Sequence, residues 1–223
     1  MSPRRSAIDA QATRSKIIEA AVAMASKEGL EGVTIGRLAL ELKMSKAGIL
    51  GHFGTKESLQ LATFDAAVES MRHQVPDKVG ALPAGRDRLL RLCDAWISYL
   101  EAQQAAAGGC LLIAAAAEFE GRPGAVRTAV LSASNGWHAL LTGEIQAAIE
   151  TGELPADTDV TQLVFELNGV ALSANQAIQL HRDRAAGERA RRAVHKIIPD
   201  SEETGARPTR TPTRRSRAQV RGR

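Results

Sequence analysis

Large side chains are scarce in this chain. Of its 223 residues, two are Trp, one is Tyr and four are Phe. Alanine and leucine must therefore fill most of any core, which favours closely packed helices over a β-sandwich built on bulky residues. Cysteine is nearly absent: Cys93 and Cys110 cannot staple a chain of this length and read as small buried apolar residues. The longest apolar run, residues 110–117, falls far short of the roughly 18 residues a membrane span needs. Residues 1–5 are basic with no apolar stretch behind them, so no secretory signal, no membrane partner and a cytoplasmic location are expected.

Catalytic signatures are missing too. There is no G-x-S-x-G, no G-x-G-x-x-G, no phosphate-binding Walker loop and no zinc-type Cys/His spacing. The five histidines, His52, His73, His138, His181 and His195, are scattered, and Glu118, Glu120 and Glu144 read as exposed helix faces. No catalytic residue, metal ligand or cofactor is expected, and the chain does not read as an enzyme.

Charge is present but unevenly placed. Overall it sums to +4, yet residues 204–223 hold seven arginines and no acid, and residues 1–64 carry a net +3. The segment 65–203 is left at −6. Basic ends around an acidic body suggest that a polyanion is met by the ends.

Helical periodicity runs through most of the chain. Ile17, Ile18, Ala21, Val22 and Ala25 form one stripe, with Gly29 just past its end. Thr34, Ser45 and Thr55 stand as N-caps before three further segments, the last reaching about His73 before Pro76. Beyond a linker at 80–85, a long helix carries Leu89, Leu92, Cys93, Trp96, Ile97 and Leu100, and Gly108-Gly109 breaks it. Residues 110–119 are apolar nearly all round and should be buried on most sides. Pro123 is placed to open a helix through Trp137 to Ala148. Asp157 or Thr158 should cap the next, with Leu163, Leu167, Ala171, Ala174 and Ile178 on one face. A last amphipathic segment spans about 187–198. The expected fold class is all-α. From Pro199 the Pro, Thr, Arg and Ser composition cannot bury enough surface to offset ordering entropy, so residues 199–223 read as a disordered basic tail.

Residues 34–53, TIGRLALELKMSKAGILGHF, carry the sharpest signal. Two short capped helices joined by a tight turn, with apolar positions facing a third helix, form the helix-turn-helix arrangement. Its second helix must be slim enough for a major groove about 12 Å wide. Ala47, Gly48 and Gly51 keep the outer face low, while Lys46 and His52 remain as reaching polar groups. The helix starts at Thr34 and Ser45 offer backbone N–H groups to phosphate, and Lys56 can hold the flanking one. The candidate set for double-stranded DNA is Thr34, Arg37, Ser45, Lys46, Ala47, Gly48, Leu50, His52 and Lys56.

Residues 13–65 resemble the DNA-binding domain of the tetracycline-repressor (TetR) family of bacterial regulators. The segments TRSKIIEAAVAMASKEG, VTIGRLALEL, MSKAGILGHF and GTKESLQLA stand in the family's order. One position departs: where the family's L-Y-x-H-F segment usually has an aromatic that contacts a phosphate, this chain has Leu50, which cannot donate. The resemblance divides the chain into a DNA-binding domain over 10–58, an effector and dimerisation domain over 59–198, and the tail. It further implies a homodimer held by helices at about 123–151 and 157–182, a small-molecule effector pocket and a palindromic operator. On that basis Leu141, Leu167, Ala171, Ala174 and Ile178 are candidates for the dimer face, although the same residues suit an intramolecular core. Cys93, Trp96, Leu100, Phe119, Trp137 and His138 are candidates for an apolar pocket. Repression is the common behaviour of the family; activation on the same fold, or non-specific nucleic-acid binding by the arginine tail, are the alternatives.

Overall fold

The structure is a computed structural model that describes residues 3–105 and 108–198. Ten helices and no strand occur among the described residues: α1 Pro3–Gly32, α2 Ile35–Glu41, α3 Lys46–Phe53, α4 Lys56–Gln74, α5 Pro76–Val79, α6 Arg86–Ala105, α7 Leu111–Phe119, α8 Ala125–Glu150, α9 Val160–Gln179 and α10 Ala186–Ile197. None of them is long and apolar enough to cross a membrane.

Local chemistry sets the boundaries of the first four. Thr34, Ser45 and Thr55 each turn a side-chain oxygen onto the N–H three residues on, at Arg37, Gly48 and Ser58. Each cap thus satisfies one donor that the helix itself leaves unpaired. Gly29 breaks α1 with φ 77, a left-handed conformation that costs a side chain strain. Between α2 and α3 the same conformation falls on Lys43, at φ 54, with no glycine to relieve it.

Two apolar cores follow. The first gathers Ile17, Ala21 and Leu30 of α1, Leu38 of α2, Ile49 and Phe53 of α3, and Leu59 and Phe64 of α4. Leu111, Ala115 and Phe119 of α7 and the start of α8, Val126 and Val130, belong to it as well. The second holds Met71 of α4, most of α6, the C-terminal half of α8, α9 and α10. Helix α4 crosses from one core to the other, so packing does not divide at residue 58. Cys93 and Cys110 are buried in the second core. Burial pushes the Cys93 thiol up to about 12, so it stays protonated at neutral pH.

Several expectations need correction. Helix α1 starts at Pro3, well before the apolar stripe that opens at Ile17, and this extension is exposed from Ile8 to Ala12. Pro123 does not open α8; Gly124, at φ 140, intervenes, and its carbonyl accepts the Thr128 N–H of the first turn. Asp159, not Asp157 or Thr158, caps α9 by accepting from the Gln162 N–H at 3.0 Å. Helix α7 is buried along one face only, through Leu111, Ala115 and Phe119. Glu144 is not an exposed helix residue but is buried, and Glu118 is half-buried. The arginine tail lies outside the described residues.

Two backbone substitutions test this account of the turns. A methyl at Gly29 would sit 2.8 Å from the Glu118 carboxylate and would force a left-handed φ on a side chain. Gly29→Ala should therefore lower stability by about 1–3 kcal/mol. Lys43→Gly relieves the same kind of strain without a clash and should leave stability unchanged or raise it by up to about 1 kcal/mol. Urea denaturation followed by circular dichroism reads both, and equal losses in the two variants would contradict the assignment.

Candidate DNA-contact helix and effector cavity

Helix α3 is anchored by its inward side. Ile49 is fully buried, and Phe53 nearly so, beneath the Arg14 guanidinium, which stacks 5.0 Å from its ring centroid. With that face fixed, Lys46, Ala47, Leu50 and Gly51 face outward and are exposed. Gly48 is half-buried against the Ser45 cap. His52 is half-buried too, its ring 6.4 Å from that of Phe53, so it is a poorer reaching group than its sequence position suggested. The Lys46 stem lies against Gly36 of α2, which braces its ammonium group beside the start of the helix. The first two N–H groups of α2 and α3 precede the capped ones and lie outside the helical ladder, suited to anions.

The other expected cations are engaged within the chain. Arg37 forms a two-pronged ion pair with Glu28. Lys56 Nζ donates to the Glu31 carboxylate at 3.0 Å and to the Glu31 carbonyl at 3.2 Å. Hydrogen bonds from Lys56 and Gln60 hold the Glu31 carboxyl below its ordinary range. The folded value is depressed, so this contact contributes stability above the usual glutamate value and is lost as pH falls through the folded one. Both ion pairs are solvent-exposed, so an anion in solution can compete for either cation.

One carboxylate joins these elements to the rest of the molecule. Glu118, at the C-terminal end of α7, accepts the Leu30 N–H on Oε2 and the Glu31 N–H on Oε1, each at 2.9 Å. Both donors lie just past the Gly29 break, where the helical ladder leaves backbone groups unsatisfied. At its other end the segment is tied by Gly109, whose N–H donates to the Ser26 carbonyl at 3.2 Å. Helix α7 is thus fixed to α1 at both ends.

The opposite face of α7, through Leu112, Ile113 and Ala116, lines a cavity of about 770 Å³. Phe64, Val68, Met71 and Arg72 of α4, Leu92 and Trp96 of α6, and Ala133, Trp137 and Leu140 of α8 complete most of its wall. A volume of this order suits a ligand of drug size. Within the wall, Arg88 grips Glu144 in a bidentate pair at 2.8 and 2.7 Å and gives a third hydrogen bond to the Leu82 carbonyl. The two charges satisfy each other, and Arg72, Asp77, Ser134 and Asn168 add polar groups to a lining that is otherwise mainly apolar. Trp96 and Trp137 meet edge to face at 4.5 Å.

Of the six expected pocket residues, Trp96 and Trp137 reach the cavity. Cys93 and Leu100 lie in the core behind it, Phe119 points into the other core, and His138 is half-buried on α8 away from the lining. The α4 contribution was missed, although Phe64, Val68 and Met71 recur at i, i+4 and i+7. Glu118 was also missed; no spacing rule pairs a glutamate with backbone groups 87 and 88 residues away.

The expected dimer residues require the clearest correction. Leu141, Leu167, Ala171, Ala174 and Ile178 are at most 5% exposed and pack inside the chain's own core, so none can face a second copy. The exposed large apolar side chains of these helices are Leu131 on α8 and Phe165 and Leu172 on α9, and Leu172 also lines the cavity. Gly136 and Gly143 on α8 and Gly169 on α9 have open space above them.

Comparison with known proteins places this architecture. Residues 17–63 match the family model described as bacterial regulatory proteins, tetR family, and residues 85–194 match the tetracyclin repressor-like C-terminal domain. An HTH-type transcriptional repressor of Streptomyces coelicolor, SCO4008, is 32% identical over 82 residues. That match covers 37% of this chain and 43% of the relative, less than half of either. A TetR transcriptional regulator from Chloroflexus aurantiacus superposes with a TM-score of 0.77 at 23% identity, covering 83% of this chain and 93% of that one. AibR, solved with isovaleryl coenzyme A and operator DNA, superposes at 0.67 and 20% identity, covering 84% and 98%. With both family models matched in order and the helix-turn-helix in place, this chain belongs to the TetR family of DNA-binding transcriptional regulators.

Proposed function

We propose that the protein is a dimeric repressor that leaves a palindromic operator when a small, mainly apolar molecule fills the cavity beneath α7. The observation that carries this reading is the two-sided role of α7. Leu112, Ile113 and Ala116 face the cavity, while Glu118 of the same helix holds the backbone where α1 meets α2. A ligand that shifts α7 must either drag the DNA-binding domain with it or break two charge-assisted hydrogen bonds. The disturbance then reaches Glu31, and through its ion pair Lys56 at the start of α4. The solved complex of AibR with both an acyl coenzyme A and operator DNA supports two ligands on this fold. The repressor name of the Streptomyces coelicolor relative supports the direction of the response.

The division of labour proposed is a DNA-binding unit ending within α4, an effector and dimerisation unit behind it, and no catalytic role. Dimerisation is assigned to the outer faces of α8 and α9. There Phe165 is 73% exposed, and Leu172, seven residues on at the rim of the cavity it lines, is 45% exposed. Two copies would set their α3 helices about 34–36 Å apart, one turn of DNA. Effector and operator would then oppose each other by linkage, with a typical coupling of about 1–3 kcal/mol.

Selection of bound duplexes from a random pool should return an inverted repeat with half-site centres about one helical turn apart, and Lys46→Ala should weaken binding to it about tenfold. An enriched sequence without two-fold symmetry, or unchanged affinity for the variant, would contradict the arrangement. For regulation, an apolar compound library should be titrated against the operator complex of the wild type and of Glu118→Ala. Compounds that release the wild type should bind both proteins yet shift the variant's operator affinity by less than one third as much. Equal release from the two would remove Glu118 from the coupling route.

A further inference from the structure

Leu50 is the feature of the DNA-contact helix that its expected chemistry leaves unexplained. It is 39% exposed, on the outward side of α3, although Ile49 and Phe53 already anchor that helix. Ala47 lies one turn before it on the same side and is exposed as well. Gly51 has no side chain to donate or accept, and His52 is half-buried, its ring 6.4 Å from that of Phe53. Beyond Lys46 the side chains that α3 exposes, Ala47 and Leu50, are therefore apolar.

We infer that Ala47 and Leu50 read thymine methyl groups on two neighbouring base pairs of the operator half-site. The inference rests on the reading that α3 enters the major groove, and it names the sequence class that α3 selects there. An apolar side chain cannot bond the nitrogen and oxygen atoms of a base edge. The group in the major groove that matches it is the C5-methyl of thymine. Three residues along a helix advance about 4.5 Å, against about 3.4 Å per base step, so the two side chains fall over adjacent pairs. Lys46, one position before Ala47, is then placed for a guanine or a phosphate at the edge of the same half-site.

Deoxyuridine tests this directly, because it removes only the methyl group. The full-length protein is used to select duplexes from a random pool, and each half-site thymine of the enriched duplex is then replaced in turn. Two adjacent positions should weaken wild-type binding about three- to tenfold each at fixed salt. In Leu50→Ala one of those penalties should fall below twofold, with the slope of affinity against salt unchanged because no phosphate contact is lost. Leu50→Met should keep the penalty. Three results would overturn the inference while leaving α3 as the reading helix: an enriched half-site without adjacent A·T pairs, tolerance of deoxyuridine throughout, or an undiminished penalty in Leu50→Ala. Failure to enrich any duplex would overturn both.

Discussion

Helix α4 runs through both cores, and beside it one carboxylate pins α7 to α1. Glu118 accepts two backbone N–H groups that the break at Gly29 leaves without helical partners, and a side chain at position 29 would collide with it. The positive φ of Gly29 leaves both N–H groups aimed at that carboxylate, and the contact brings the end of α7 onto α1. Hydrogen bonds to a charged acceptor are about twice as strong as neutral ones, and removing the acceptor would strand two donors. Glu118 therefore behaves as a tether with a defined geometry, unlike an exposed ion pair that salt would loosen.

Helix α7 gives the tether its reach. Nine residues are enough for one face, Leu111, Ala115 and Phe119, to complete the core beneath the helix-turn-helix. The other face closes a cavity of about 770 Å³. Side chains on so short a helix cannot move independently in a close-packed interior, so a change of volume on one side is felt on the other. Elsewhere the charges are arranged to stay quiet: Arg88 and Glu144 neutralise each other in the cavity wall. Arg37 and Lys56 rest on Glu28 and Glu31.

Much of the front of the molecule was legible in the sequence because its signals are local. Thr34, Ser45 and Thr55 announce three helix starts through the N–H each can accept, and the i, i+4 pair Ile49 and Phe53 fixes which side of α3 faces in. The C-terminal domain was legible as helices but not as faces. Leu141, Leu167, Ala171, Ala174 and Ile178 suited a dimer seam and a core equally, since apolar periodicity gives the stripe but not what covers it. They are core, and the stripe offset from them, Phe165 and Leu172, is what remains exposed. Glu144 and Glu118 were misread for a related reason. A glutamate on a helix is usually solvated, and only the distant partner, Arg88 in one case and the Leu30 and Glu31 backbone in the other, shows otherwise.

In the proposed mechanism, helix α3 and the cavity wall share one mechanical connection through α7. Amide hydrogen exchange with and without bound operator duplex tests it most directly, since linkage requires DNA at α3 to be felt at α7. The account predicts altered protection at Leu30, Glu31 and across 112–118 on DNA binding, together with the expected changes over 34–56. Exchange that changes over 34–56 alone, with α7 and the Leu30–Glu31 amides unmoved, would contradict it.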